Sequence, residues 1–574
     1  MMYPLDEFKR EITSGLKKAL SKLKYDSDIK LEISPENMGD FAFPCFSLAT
    51  IAKKSPQDIA KEIANRIEKS TWIEKVEAKG GYVNFFVDTK SLIAATLQSI
   101  FDKKENYGKL QKKNKKVIIE HTSANPTGPL HVGRARNPII GDTLVRIFRV
   151  AGYDVESQFY LDDLGKQVAT LAWGVDKFYP GGSADLSAHK AVKYYQKSSN
   201  LMQEDKKVAD EISGLVKRSE SGESEIIERI RDAYKPVLEG KGGIQKSLNR
   251  INITIDKYVP ESEFVRDKSV DNVVERLKQL PYCHEEDGAF YLDLESFGIQ
   301  GRDTRFFFTR KDGTTLYATR DIAYHLWKAK HADMLINVLG EDHKLESKQV
   351  EIALKLLDTK IIPKVVFYAF VSLPGGKMST RRGLVVYLDE LIDECIKRAY
   401  EEVEKRRGGE LSKSKMEKIA EMVGIGSLRY NIIKVQPEKD IAFKWEEALN
   451  FEGNAVPFIQ YAHARACSIL SKVKDRKRDF DANLLNHDSE VTLLKQLARF
   501  PLIIEEASNG YKPHIIANYL YETASKFNQF YRDCPVLPEK NAIIRNSRIS
   551  LVDATRIVLN NALELLGVSA PEEM

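Results

Sequence analysis

The chain has 574 residues, 43% of them hydrophobic, which is enough for three or four domains with ordinary cores. Lysine and arginine number 88 against 83 aspartates and glutamates, a net charge of +5 that allows a polyanionic partner without demanding one. No apolar run reaches the roughly 18 residues of a membrane span, and residues 1–17 lack an apolar signal core, so the expected compartment is the cytosol.

Residues 6–24 carry Phe8, Ile12, Leu16, Leu20 and Leu23 at helical spacing. Short β-like runs at 29–33, 41–46, 76–78 and 82–87, with a helix at 56–69, complete a small α+β domain over 1–88. The segment 89–116 ends in a stretch with seven lysines between 103 and 116 and reads as a basic linker and hinge. From residue 117 the pattern becomes βαβ. A strand at 117–121 enters a turn-rich loop at 125–129, a helix follows at 132–150, Gly152 caps it, and a strand follows at 155–160. The alternation returns with a strand at 335–339, a helix at 346–357 and a strand at 365–370. One doubly wound parallel sheet of Rossmann type over 117–435 is expected, split at about 175–300 by a polar, helical insertion. Strand patterning then stops. Runs at 413–433, 454–473, 491–508, 513–531 and 547–566 read as amphipathic helices, and an all-α bundle over 436–574 is expected.

Two short elements carry chemistry. The loop after the first parallel strand delivers His131 and Gly133 to a helix start, where unpaired N–H groups and the positive dipole end suit phosphate. Far along the chain, Gly375 and Gly376 precede Lys377 in a glycine-flanked loop. Each alone also reads as a cap or a turn. Together they suit nucleotidyl transfer, which needs alignment and positive groups where charge develops rather than a covalent nucleophile. A P-loop, a Gly-x-Gly-x-x-Gly fingerprint and a His-Glu-x-x-His zinc motif are all missing from the sequence. The five cysteines (Cys45, Cys283, Cys395, Cys467, Cys534) are scattered without metal-ligand spacing, so neither protein-bound zinc nor a disulfide framework is expected.

These elements, and others over nearly the whole length, resemble the arginyl-tRNA synthetases of class I. His131-Val132-Gly133-Arg134 stands where class I enzymes carry His-Ile-Gly-His, and Lys377-Met378-Ser379-Thr380-Arg381 where they carry Lys-Met-Ser-Lys-Ser. Narrower likeness lies in Ser123 to Pro129, in Tyr160-Leu161-Asp162-Asp163-Leu164-Gly165, and in Leu316-Tyr317-Ala318-Thr319-Arg320-Asp321. It extends to Phe451 to Asn454, Gln460 to Arg465, Asp553-Ala554-Thr555-Arg556, and Gly39-Asp40-Phe41-Ala42 at the front.

The resemblance implies an arginine–tRNA ligase that forms arginyl-adenylate from L-arginine and ATP. It then charges the 3′-terminal adenosine of tRNA(Arg), with activation dependent on tRNA. His131, Gly133, Arg134, Lys377, Met378 and Ser379 would hold ATP, and Arg381 would join the catalytic set. Magnesium would come with the ATP phosphates. Glu120, Tyr317 and Asp321 would hold the guanidinium, with Asn125 and His343 at the amino-acid end. Tyr82 and Asn84 would meet the tRNA corner, and Phe458, Tyr461, Arg465, Tyr531 and Met574 the anticodon. A monomer is expected. Two departures stand out: Arg134 replaces the second histidine of the first motif, and Thr380 the second lysine of the second. Where the family carries a compensating lysine just before the first motif, this chain has Thr127 and Gly128, so Arg381 or Arg382 would take that role. On these departures rests the alternative, a non-catalytic tRNA-binding paralogue. A cysteine-specific relative fits less well, because its selection uses zinc.

Overall fold

A computed structural model describes residues 2–35, 38–179, 186–300, 304–372, 387–473 and 480–574. The central sheet is wholly parallel. Its spatial order is Lys364–Tyr368, Met334–Gly340, Lys116–Glu120, Asp154–Leu161 and Lys257–Pro260. Chain order reverses between Met334–Gly340 and Lys116–Glu120, and the crevice beyond their carboxyl ends is where such sheets bind ligands. The strand Val-Ile-Ile at 117–119 is fully buried, as a parallel strand covered on both faces must be.

The insertion is helical over most of its length, with helices Ala188–Glu204, Lys206–Glu220, Ser224–Glu239, Ile244–Arg250 and Ser269–Lys278. Contrary to the expected range of about 175–300, Lys257–Pro260 belongs to the central sheet as its edge strand. That position explains how a strand can end in proline: the missing N–H costs nothing where no further strand pairs. Residues 283–307 then form a three-stranded antiparallel sheet.

The N-terminal unit is a four-stranded antiparallel sheet backed by helices Pro4–Leu23 and Pro56–Ala64. Phe8, Ile12 and Leu16 pack with Phe41, Phe43 and Phe85 in its core. That core continues into Ala498 and Leu502 of the C-terminal bundle. Asp40 fastens the junction, accepting from Val87 N–H at 2.9 Å and pairing with Lys495 at 2.8 Å. The segment expected as a hinge opens instead with a helix, Thr89–Lys103, capped by Asp88 on the Ser91 N–H at 2.8 Å. Its Leu92, Ile93, Leu97 and Ile100 are buried, so it is a packed spacer.

The bundle contains helices Lys413–Ile433, Val456–Ser471, His514–Asp533 and Ala542–Leu565. The run expected as one helix at 491–508 is two, Asp488–Ala498 and Phe500–Gly510. Pro501 explains the break, since it has no N–H to continue a helix but fits a first turn. Among the described residues no helix is long and apolar enough to cross a membrane.

Arg429, fully buried on Lys413–Ile433, ties these parts together. Its Nη2 pairs with Asp142 at 2.5 Å, Nη1 donates to the Ile251 carbonyl at 2.6 Å, and Nε donates to Leu566 O at 2.5 Å. Gly567 makes room for the guanidinium, because a Cβ there would stand 2.4 Å from Nη2. Arg429→Met would leave Asp142 paired with Arg146 alone, at 2.8 Å, and would strip the Ile251 and Leu566 carbonyls of their donor, at a cost of about 1–3 kcal/mol. The expected readout is a lower calorimetric melting temperature, and an unchanged thermogram would refute the clamp.

Candidate functional site

The strand Lys116–Glu120 ends in a backbone turn that few residues adopt. Thr122 has φ +74° and Ser123 φ +31°, a left-handed pair worth about 1–3 kcal/mol of strain each. The turn is held from several sides. Thr122 N–H donates to Asn137 Oδ1 at 2.6 Å, and Asn137 Nδ2 donates to Val338 O at 2.9 Å. Ser123 Oγ donates to Glu120 Oε1 at 3.1 Å and accepts the Tyr160 N–H at 3.2 Å. The result is a buried Glu120 carboxylate fixed at the mouth of the switch-point crevice.

The helix Tyr317–His331 borders the same crevice. Tyr317 at its start is 40% exposed, and its hydroxyl comes so near Gly165 that a Cβ there would stand 3.0 Å away. Arg320 lies under the Tyr317 ring at 4.8 Å and pairs through Nε with buried Glu261 at 2.9 Å. Asp321 follows, with its carboxyl 3.1 Å from His325 Nδ1. Burial works to raise the Asp321 pKa, but His325, Lys328 and His343 outweigh it and hold the carboxyl below its ordinary range. Glu120 is met by Lys328, whose Nζ donates to Oε2 at 2.6 Å.

His131 stands just before a 3₁₀ turn, Val132–Arg134, that leads into the helix Arg136–Val150. The helix expected from 132 thus begins with this tighter turn. His131 Nδ1 accepts the Gly133 N–H at 3.0 Å. A ring nitrogen that accepts carries no proton, so the neutral imidazole presents Nε2–H as its donor. Burial, and then the charge of Arg134, lower the His131 pKa. Arg134 itself is exposed. Arg136 is buried and donates to Ala369 O, Lys439 O and Gln436 O at 2.6–2.8 Å, joining this helix to the chain on both sides of the second motif. Lys377, Met378, Ser379, Thr380, Arg381 and Arg382 lie outside the described residues. Their flanks are described: Val371–Ser372 pairs with Ile441–Ala442, and Tyr387 bridges to His131.

Of the remaining expected residues, Asn125 lies half-buried in the loop beside Glu120. His343 is turned to Glu346 at 3.1 Å, and that hydrogen bond raises its pKa. In the bundle, the Arg465 guanidinium lies between the rings of Tyr461 and Tyr531 at 4.8 and 5.1 Å, with both tyrosines 42% exposed. Nη1 of Arg465 donates to Asn528 at 2.6 Å. Tyr461, Tyr531, Arg407 and Met574 line a cavity of about 690 Å³, and Phe458 faces a second of about 640 Å³. Tyr82 is half-buried with Phe46 edge-on at 5.1 Å, whereas Asn84 is only 3% exposed. Asn84 therefore departs from the expected surface contact: its strand is covered on both faces at that position.

Comparison with known proteins finds family matches along three parts of the chain. Residues 96–445 match the family of tRNA synthetases class I (R), catalytic domain. Residues 459–574 match the DALR anticodon binding domain, and 9–87 the Arginyl tRNA synthetase N terminal domain. The chain is 47% identical over 536 residues to an arginine–tRNA ligase of Methanocella arvoryzae, covering 92% of each. It is 42% identical to one of Methanothermobacter thermautotrophicus, over 98% of this chain and 99% of that protein. The chain belongs to the class I arginyl-tRNA synthetases. The solved arginyl-tRNA synthetase of Thermus thermophilus superposes with a TM-score of 0.83 at 28% identity, over 98% of this chain and all of that one. The arginyl-tRNA synthetase of Plasmodium falciparum, at 19% identity and a TM-score of 0.81, shares the fold.

Within this synthetase frame, Lys328, His325 and Asn337 were not anticipated as crevice residues. A signal existed: 321, 325 and 328 are spaced four and three apart and share one helix face, which buries a lysine. Two outcomes test the geometry. Gly165→Ala, at φ +85° and against the Tyr317 hydroxyl, raises the arginine KM by about tenfold and leaves the ATP KM unchanged. An unaltered arginine KM would remove Tyr317 from the arginine site. Arg134→His removes the charge that helps to lower the His131 pKa, so the acid limb of activity moves to higher pH. Protonated Nδ1 can no longer accept the Gly133 N–H. A limb that stays in place would detach His131 from the reaction.

Proposed function

We infer that this chain ligates L-arginine to tRNA(Arg) in two steps at the switch-point crevice. The observation that carries the reading is the adjacency of two kinds of site at one sheet edge. Fixed carboxylates, Glu120 and Asp321, stand with Tyr317 on one side, and a neutral histidine donor at a helix start stands on the other. A planar guanidinium accepts the former, and a phosphate the latter.

ATP enters with magnesium on its phosphates. The arginine carboxylate attacks the α-phosphorus, a C–O–P bond forms, and the bond to the β-phosphate oxygen breaks, releasing pyrophosphate. His131 Nε2–H, the Gly133 backbone and Arg134 meet the charge that develops, and Lys377, with Met378, Ser379 and Arg381, completes the phosphate contacts. Asn125 and His343 orient the α-amino and carboxylate end. A hydroxyl of the terminal ribose then attacks the arginyl carbonyl, and AMP leaves. Phe458, Tyr461, Arg465, Tyr531 and Met574 hold the anticodon by stacking and charge, and Tyr82 serves as a stacking plane on the N-terminal unit. The protein acts as a cytosolic monomer and requires tRNA for activation, readings that the family likeness supports. The non-catalytic alternative is not favoured, because the relatives named as ligases match over nearly the full length.

Arginine-dependent ATP–pyrophosphate exchange tests the reading. Exchange is expected with tRNA(Arg) present and not without it. Exchange in both conditions removes the tRNA requirement, and exchange in neither, with folded protein and bound tRNA, removes the enzyme.

A further inference from the structure

The two crevice carboxylates are joined beneath the surface by an unbroken chain of hydrogen bonds. Glu120 Oε2 accepts from Lys328 Nζ at 2.6 Å. Lys328 Nζ also donates to Asn337 Oδ1 at 3.1 Å. Asn337 Nδ2 donates to His325 Nε2 at 2.7 Å, and His325 Nδ1 lies 2.8 Å from Asp321 O and 3.1 Å from its carboxyl. Chemistry fixes the polarity of this chain. An ammonium only donates, so Asn337 must turn its oxygen to Lys328 and its NH₂ to His325. His325 Nε2 therefore accepts and carries no proton, and Nδ1–H donates to Asp321. The sheet register supports the path, since Asn337 stands opposite Glu120 on the neighbouring strand.

Lys328 is the unusual member. Its side chain is 0% exposed, and its ammonium lies 4.0 Å from the centre of the Tyr324 ring. A buried lysine is retained only with partners, and here its anionic partner is a carboxylate of the substrate crevice. Within this hydrogen-bonded chain, one ammonium stands between the two carboxylates and is in direct contact with Glu120.

We propose that Lys328 is a positioning residue that sets arginine affinity by acting as a resident counterion to Glu120. Lys328 holds the Glu120 carboxylate aimed through its 2.6 Å contact with Oε2. Without it, Glu120 loses the buried partner that fixes Oε2 and turns away from the position that meets the guanidinium. This inference rests on the arginine-ligase reading, and the test separates the two.

ATP–pyrophosphate exchange with tRNA(Arg) present would be measured for the wild type, Lys328→Met, Glu120→Gln and the double variant. Loss of arginine dependence in the wild type refutes the ligase reading itself. With the wild type active, Lys328→Met is expected to raise the arginine KM by about tenfold or more while the ATP KM stays within about twofold. The double variant removes cation and anion together, so its arginine KM is expected at or below that of Glu120→Gln alone. An unchanged arginine KM in Lys328→Met, or effects of the two substitutions that multiply in the double variant, overturns the proposal. If Lys328→Met does not fold, Glu120→Gln against the double variant decides.

Discussion

The Arg429–Asp142 pair is the contact on which the assembly of this protein turns. It is a poor source of raw stability, because both charges had to leave water. Its value is geometric. Asp142 belongs to the helix that begins just after His131, Ile251 to the insertion, and Leu566 to the end of the last bundle helix. One guanidinium thus fixes three separately folded parts to one point. Arg136 does the same at the start of that helix, where burial pushes its own pKa down to about 10 against the pull of Asp440 and Glu438. Two buried arginines thus hold the helix that follows the first motif to the frame.

Rigidity of this kind lets the crevice carry strain. Thr122 and Ser123 take left-handed backbone angles where β-branched and hydroxyl side chains gain nothing from them locally. The compensation comes from Asn137, on the same helix as Asp142. That helix is pinned at two places, so it can hold the turn and the turn can hold Glu120. A loosened bundle contact would therefore reach Glu120 through packed elements.

Much of this was legible in the sequence. The strands and helices of the central sheet follow from apolar runs and capping residues, and His131 and Gly133 from a loop that meets a helix start. Glu120 was legible because a carboxylate at the end of a buried strand wants a cation. What the sequence did not disclose was which cation: Lys328 lies 208 positions away, and no local pattern joins the two. The edge strand Lys257–Pro260 was hidden because four residues ending in proline carry almost no strand signal. Asn84 was carried over from the family resemblance as a tRNA contact, but its strand is covered there on both faces and leaves it 3% exposed.

The two halves of the crevice solve opposite electrostatic problems. In the function proposed above, ATP brings its own charge, so the phosphate side works with oriented dipoles, and a neutral His131 beside Arg134 avoids a second cation that would itself need solvating. On the proposed arginine side, a delocalised cation with weak hydration suits carboxylates that are already fixed in place. Lys328 holds Glu120 and His325 holds Asp321, and the helix Tyr317–His331 supplies both partners from a single face. On that proposal, selectivity for arginine follows from the arrangement of the empty site, with little left for the substrate to reorganise on entry.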